Sequence, residues 1–132
     1  MSYVGLGFEL FVADLARSRR FYETVLGFVG GQERDGYLPI SSGPVTIGLG
    51  SYSGLASEHH LRSTSQGPSG GSVEIVLEVD DVDAYYARAQ ATVADEGGGI
   101  EPMQRRAWGA RDFRIIDPDS YYLRISERRR HD

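Results

Sequence analysis

Seven side chains carry most of the chemistry this sequence has to offer: Glu9, Glu74 and Glu78, Arg124, and the aromatics Phe11, Trp108 and Tyr122. A carboxylate accepts hydrogen bonds, pairs with a cation, or acts as a general base once burial raises its pKa. An arginine keeps its charge and presents five donors in a fixed fork. Flat rings stack on ligands and on guanidinium groups. Within short alternating stretches, Glu9 and Phe11, Glu74 and Glu78, and Tyr122 and Arg124 stand an even number of residues apart. In a strand, that spacing puts each set on one face.

The elements that would position them come in two copies. Leu6-Gly7-Phe8-Glu9-Leu10-Phe11-Val12 runs into Ala13-Asp14-Leu15, and Val73-Glu74-Ile75-Val76-Leu77-Glu78-Val79 runs into Asp80-Asp81-Val82. An offset of 67 matches Phe8 with Ile75, Leu10 with Leu77, Val12 with Val79 and Asp14 with Asp81. Each alternating stretch predicts a half-buried strand, and each Asp predicts a helix N-cap. Leu15, Ser18, Tyr22, Val25 and Leu26 make one helix face, and Val82, Tyr85, Ala89 and Val93 make the other. Gly27 stops the first helix, and Gly97-Gly98-Gly99 follows the second. Three strand candidates follow each helix, at about 28–34, 36–41 and 44–50, then at about 100–106, 110–116 and 121–127. Asp117-Pro118-Asp119-Ser120 suits a hairpin turn. Residues 51–71 are rich in Ser and Gly, carry no period, and read as a flexible linker.

The expected architecture is one α+β domain over 1–132, an internal duplication of two tandem βαβββ modules at about 4–50 and 72–127. Their sheets would meet edge to edge as a curved, mostly antiparallel sheet with a concave ligand groove. Period two sends Phe8, Leu10, Val12, Val45, Ile47, Leu49, Val73, Ile75, Leu77, Val79, Tyr121, Leu123 and Ile125 to the helix side. The open face keeps Gly7, Glu9, Phe11, Ala13, Thr46, Gly48, Glu74, Val76, Glu78, Tyr122, Arg124 and Ser126, with Trp108 beside them. Many antiparallel sheets have such a polar solvated face without a ligand. The rings among the charges, and the glycines that remove bulk, favour a pocket.

Composition narrows the partners. The chain has 132 residues, 40% apolar and 25% charged, a globular balance. No apolar run approaches the length of a membrane span, and the first residues lack a signal-peptide pattern. No Cys is present, so there is no disulfide or thiolate metal site, which suits the cytoplasm. All 14 basic residues are Arg, and the formal charge is -5 without a basic stripe, which argues against nucleic acid. Arg128-Arg129-Arg130 reads as a solvated tail. His59 and His60 are adjacent in the linker and His131 is terminal, so none is expected to hold a metal.

Three stretches carry a family resemblance. FELFVADLARSRRFYETVLGF (8–28) resembles the start of a module of the glyoxalase / bleomycin-resistance / dioxygenase (vicinal oxygen chelate) superfamily. VEIVLEVDDVDAYYARA (73–89) resembles the start of the second module, and WGARDFRIIDPDSYYLRI (108–125) its end, with Ser120 where the family usually has Gly. Metal-dependent members ligate through His, Gln or Glu at a few of four equivalent strand positions, which fall here on Gly7, Gly48 (or its neighbour), Glu74 and Arg124. Only Glu74 has a suitable donor atom, and a guanidinium offers a metal no lone pair. The resemblance therefore leans to the metal-free bleomycin-resistance branch, whose members sequester a ligand as homodimers.

The expected function is a small-molecule binding protein, without metal or other cofactor, that sequesters an aromatic or antibiotic-like ligand at Glu9, Phe11, Glu74, Glu78, Trp108, Tyr122 and Arg124. The alternative is a metal-dependent or divergent lyase, isomerase or dioxygenase of the same superfamily, with a cavity carboxylate as base. Three acids against Arg124 predict a cationic ligand. Arg124 could instead pair with Glu74, or grip a ligand carboxylate and reverse that preference.

Overall fold

The computed structural model describes residues 1–63, 67–68 and 70–128. Arg129 and Arg130 of the arginine run, and His131, lie outside the described residues.

Both copies fold alike. In the first, β1 (Glu9–Val12) leads to α1 (Leu15–Leu26), then β2 (Val29–Gly30), β3 (Tyr37–Ser42) and β4 (Val45–Ser51). In the second, β5 (Glu74–Val79) leads to α3 (Val82–Thr92), then β6 (Gly99–Arg105), β7 (Arg111–Ile116) and β8 (Tyr122–Glu127). Each half makes its own four-stranded sheet, in the orders β1-β4-β3-β2 and β5-β8-β7-β6. The pairs β1–β4 and β5–β8 are parallel, and the other pairs are antiparallel. The two sheets share no strand pairing, so the architecture is tandem and unclosed.

The helices begin where their caps require. Asp14 accepts from the Arg17 N–H at 3.1 Å, and Asp81 from the Ala84 N–H at 3.1 Å. Gly27 ends α1 in the left-handed region at φ 77°, a conformation that suits a residue without Cβ. Phe21, Tyr22, Val25 and Leu26 of α1 and Val82 and Ala89 of α3 are buried against Leu10, Val12, Ile47, Leu49, Phe113, Ile115, Leu123 and Ile125. The two helices also touch each other and join the halves.

Three local expectations change. β1 starts at Glu9, so Gly7 is outside it and exposed, and only the Phe8 carbonyl extends the ladder, accepting from the Gly48 N–H. β2 is two residues long, not seven. The stretch 51–71 is not featureless: it holds a 3₁₀ turn at Tyr52–Gly54 and a one-turn helix, α2, at His60–Ser63. Arg62 ties the two by donating to the Ser53 and Leu55 carbonyls at 2.9 and 2.8 Å.

Asp117-Pro118-Asp119-Ser120 does more than turn the chain. Asp117 is buried and accepts from the Tyr22 hydroxyl at 2.7 Å and from the N–H groups of Asp119 and Tyr121. Asp119 accepts from the Ala13 N–H, Arg17 and the Ser18 hydroxyl. The Tyr121 hydroxyl donates to the Phe11 carbonyl at 2.8 Å and accepts from its N–H at 3.1 Å. The last hairpin of the second half is thereby clasped to the first strand and helix.

Candidate functional site

The open face of the second sheet is set by parity. Ile75, Phe113, Ile115, Leu123 and Ile125 are buried against the helices. Their neighbours Glu74, Asp112, Arg114, Tyr122 and Arg124 turn the other way. Register brings Arg114 directly opposite Arg124, Glu74 opposite Tyr122 and Glu101 opposite Arg114. Like charges facing each other across strands repel, and acids on either side hold them. Asp112, with 0% exposure, lies within 2.8 Å of Arg106, 3.5 Å of Arg114 and 3.7 Å of Arg124. Glu74 Oε1 accepts from Arg114 at 2.9 Å and is 3.6 Å from Arg124.

Rings enclose this net. The Trp108 ring centre is 5.9 Å from the Arg124 guanidinium carbon, and Tyr122 lies 6.0 Å from that of Arg114. The Tyr122 hydroxyl donates to the Glu101 carboxylate, and burial, then that contact, pushes its pKa up. Burial pushes the Asp112 carboxyl above its ordinary value, Arg124 pulls it down and Glu74 raises it. Arg111 is not part of the group: it reaches to the helix side, pairing with Asp83 and Glu127.

Glu74, Tyr122 and Arg124 share this face, as period two implied, and Trp108 lies beside Arg124. Arg106, Asp112 and Arg114 join them although sequence reasoning did not single them out. Phe113 and Ile115 were the readable signal, since a strand burying those two must turn 112 and 114 outward. Arg106 carried no such signal, because β6 shifts register between Glu101 and Gln104. Two further arginines, Arg106 and Arg114, and two further acids, Asp112 and Glu101, stand on this face beside Glu74, Glu78 and Arg124.

Glu9 and Phe11 lie on the open face of the first sheet, opposite Gly48 and Gly50. Among the described residues no hydrogen bond, ion pair or ring contact joins them to the Arg124 group. Phe11 meets His59 at 6.1 Å. The room left by Gly48 is filled from within the chain: a Cβ there would meet the Tyr37 hydroxyl at 2.5 Å. Gly50 is covered in the same way by Phe11. Glu78 borders a separate cleft of about 440 Å³ between the two halves, floored by Leu26, Phe28, Tyr85 and Ile125.

Residues 6–125 match the sequence profile of the glyoxalase/bleomycin resistance protein/dioxygenase superfamily, nearly the whole chain. The chain belongs to that superfamily. Solved structures agree in fold. A protein of unknown function from Agrobacterium tumefaciens str. C58 is 25% identical, with a TM-score of 0.74 over 98% of this chain and 97% of its own. A glyoxalase/bleomycin resistance protein/dioxygenase from Nocardioides is 21% identical, with a TM-score of 0.74 over 96% of this chain and 85% of its own. A bleomycin resistance determinant encoded on the transposon Tn5 is 20% identical, with a TM-score of 0.70 over 97% of this chain and 100% of its own. No curated protein matches the sequence.

The residues at the positions a superfamily metal would use do not suit one. Gly7 and Gly48 bring no donor atom, and Glu74 is held by Arg114 and Arg124. The position opposite Val76 is Arg124, a fixed cation that repels a metal. Among the described residues no three His, Cys, Asp or Glu side chains converge as a ligand set.

Proposed function

We propose that the protein is a small-molecule binding protein of the glyoxalase/bleomycin resistance type, a cytoplasmic homodimer that sequesters an aromatic or antibiotic-like ligand without a metal. The observation that carries this reading is Arg124. Where a metal-dependent relative would close its site with an acid, this chain has a guanidinium packed under Trp108 and flanked by Glu74 and Asp112. That arrangement offers charge, donors and a flat ring, which are the means of holding a ligand. The candidate contacts are Glu74, Trp108, Tyr122 and Arg124 on one face and Glu9 and Phe11 on the other, with Glu78 at the cleft. Residues 1–8 support the dimer: they form no strand, and Tyr3, Val4 and Leu6 are almost wholly exposed. An apolar arm of that kind suits burial against a second copy.

Metal analysis of tag-free protein tests the reading. The expected result is far less than one zinc, nickel, iron or manganese per chain. A stoichiometric metal that disappears in Glu74→Ala would overturn it in favour of the metal-dependent lyase, isomerase or dioxygenase alternative.

A further inference from the structure

We infer that the ligand of the second open face is an aromatic anion whose carboxylate seats on Arg124 beside Trp108. This rests on the binding function proposed above and adds the ligand's class, with the opposite charge to the one the sequence favours.

The inference starts from an arginine whose side chain has charge partners but, among the described residues, no hydrogen bond. Its side chain is only 20% exposed, and its Nε is buried with no acceptor. The nearest acid oxygens, Glu74 Oε1 at 3.6 Å and Asp112 Oδ2 at 3.7 Å, are beyond hydrogen-bond reach. Glu74 Oε1 makes its short contact to Arg114 at 2.9 Å and Asp112 Oδ1 to Arg106 at 2.8 Å, while Asp112 Oδ2, the oxygen nearest Arg124, is buried without a hydrogen bond of its own. Arg124 is therefore neutralised at a distance: its Nε is buried without an acceptor, and its terminal nitrogens make no hydrogen bond among the described residues. A carboxylate has the two oxygens and the charge that a guanidinium fork accepts.

Arg106, Arg114 and Arg124 all surround Asp112, the buried acid of this face. The acids of the face are Asp112, Glu74, Glu78 and Glu101, and Glu101 is engaged by the Tyr122 hydroxyl. Four acids stand against three arginines, so net charge does not select an anion; the arginine without a hydrogen-bonded partner does. Trp108 supplies the aromatic half of the preference. One side of its ring lies by Arg124, yet the residue is 57% exposed, which leaves indole surface for a flat ligand.

The test uses naphthoate, naphthamide and naphthylmethylammonium, one ring with three charges. Binding is followed by calorimetry and by the fluorescence of Trp108, the one tryptophan in the chain. Naphthoate is expected to bind about tenfold or more tightly than naphthamide, as one charge-assisted hydrogen bond to a guanidinium supplies. The ammonium compound is expected to bind most weakly. Arg124→Met should erase the advantage of naphthoate, Arg124→Lys should reduce it because the fork is lost, and Glu74→Gln should increase it. The wild-type series decides even if Arg124→Met fails to fold. Equal or tighter binding of the neutral or cationic compound would overturn the anion inference and leave the binding function standing. If none of the three binds at millimolar concentration, the aromatic-ligand reading itself falls, and this inference with it.

Discussion

Arg114 and Arg124 face each other across two strands, an arrangement that Asp112 makes tolerable. Removing the acid leaves three guanidinium groups around an uncompensated, buried position. Asp112→Ala is expected to cost about 3–5 kcal/mol, the scale of breaking a buried ion pair from one side. Asp112→Asn, which keeps an acceptor, should cost less. Urea unfolding followed by circular dichroism measures both, and a loss below about 1 kcal/mol for Asp112→Ala would remove Asp112 from this role. A second residue acts through the backbone. Ser120 stands at φ 67°, where a side chain is strained, in the turn position the family usually gives to Gly. Ser120→Gly should raise stability by up to about 1 kcal/mol, less whatever the freer unfolded chain takes back. A thermal midpoint that falls would contradict it.

At the scale of elements, the turn at 117–120 titrates with the fold. Burial holds the Asp117 carboxyl above its ordinary value, against the lowering hydrogen bonds from Tyr22, Tyr121 and Asp119. The folded chain keeps that proton to a higher pH than the unfolded chain does. Between the two values folding takes up a proton, so this group's contribution is greatest in acid and declines as pH rises through the folded pKa. Asp117→Asn lacks the titration. Stability of the variant minus that of the wild type, taken from urea midpoints at successive pH values upward from about the ordinary aspartate value, should therefore climb and then level. A flat difference would mean that Asp117 titrates normally. The same turn marks what was legible in the sequence. The duplication, both N-caps and the facing of β5 and β8 follow from local periods, which is why Glu74, Tyr122 and Arg124 could be placed on one face. The clasp was not legible, because Ser18 and Tyr22 read as helix-face positions and their partners lie about a hundred residues away. β2 and the one-turn helix α2 are too short for any period to announce them.

At the scale of the whole molecule, the exposed apolar arm at 1–8 calls for a partner surface. Light scattering over a dilution series should read about twice the 14.5 kDa chain mass, and deleting residues 1–7 should shift the protein toward monomer. A monomer at the highest concentration would refute the dimer. The clasp also bears on how the chain is made. Phe11 waits for Tyr121 across 110 residues, Ala13 for Asp119 across 106, and Tyr22 for Asp117 across 95. Contacts so distant along the chain close late and slow folding. Synthesis runs from the N-terminus, so the first half leaves the ribosome with a core tyrosine hydroxyl that has no acceptor until the final hairpin emerges. The halves are copies in shape but not successive, self-sufficient units. A product cut short before Asp117 would lack the acceptor of the Tyr22 hydroxyl and the Asp119 and Tyr121 contacts to Ala13 and Phe11 together.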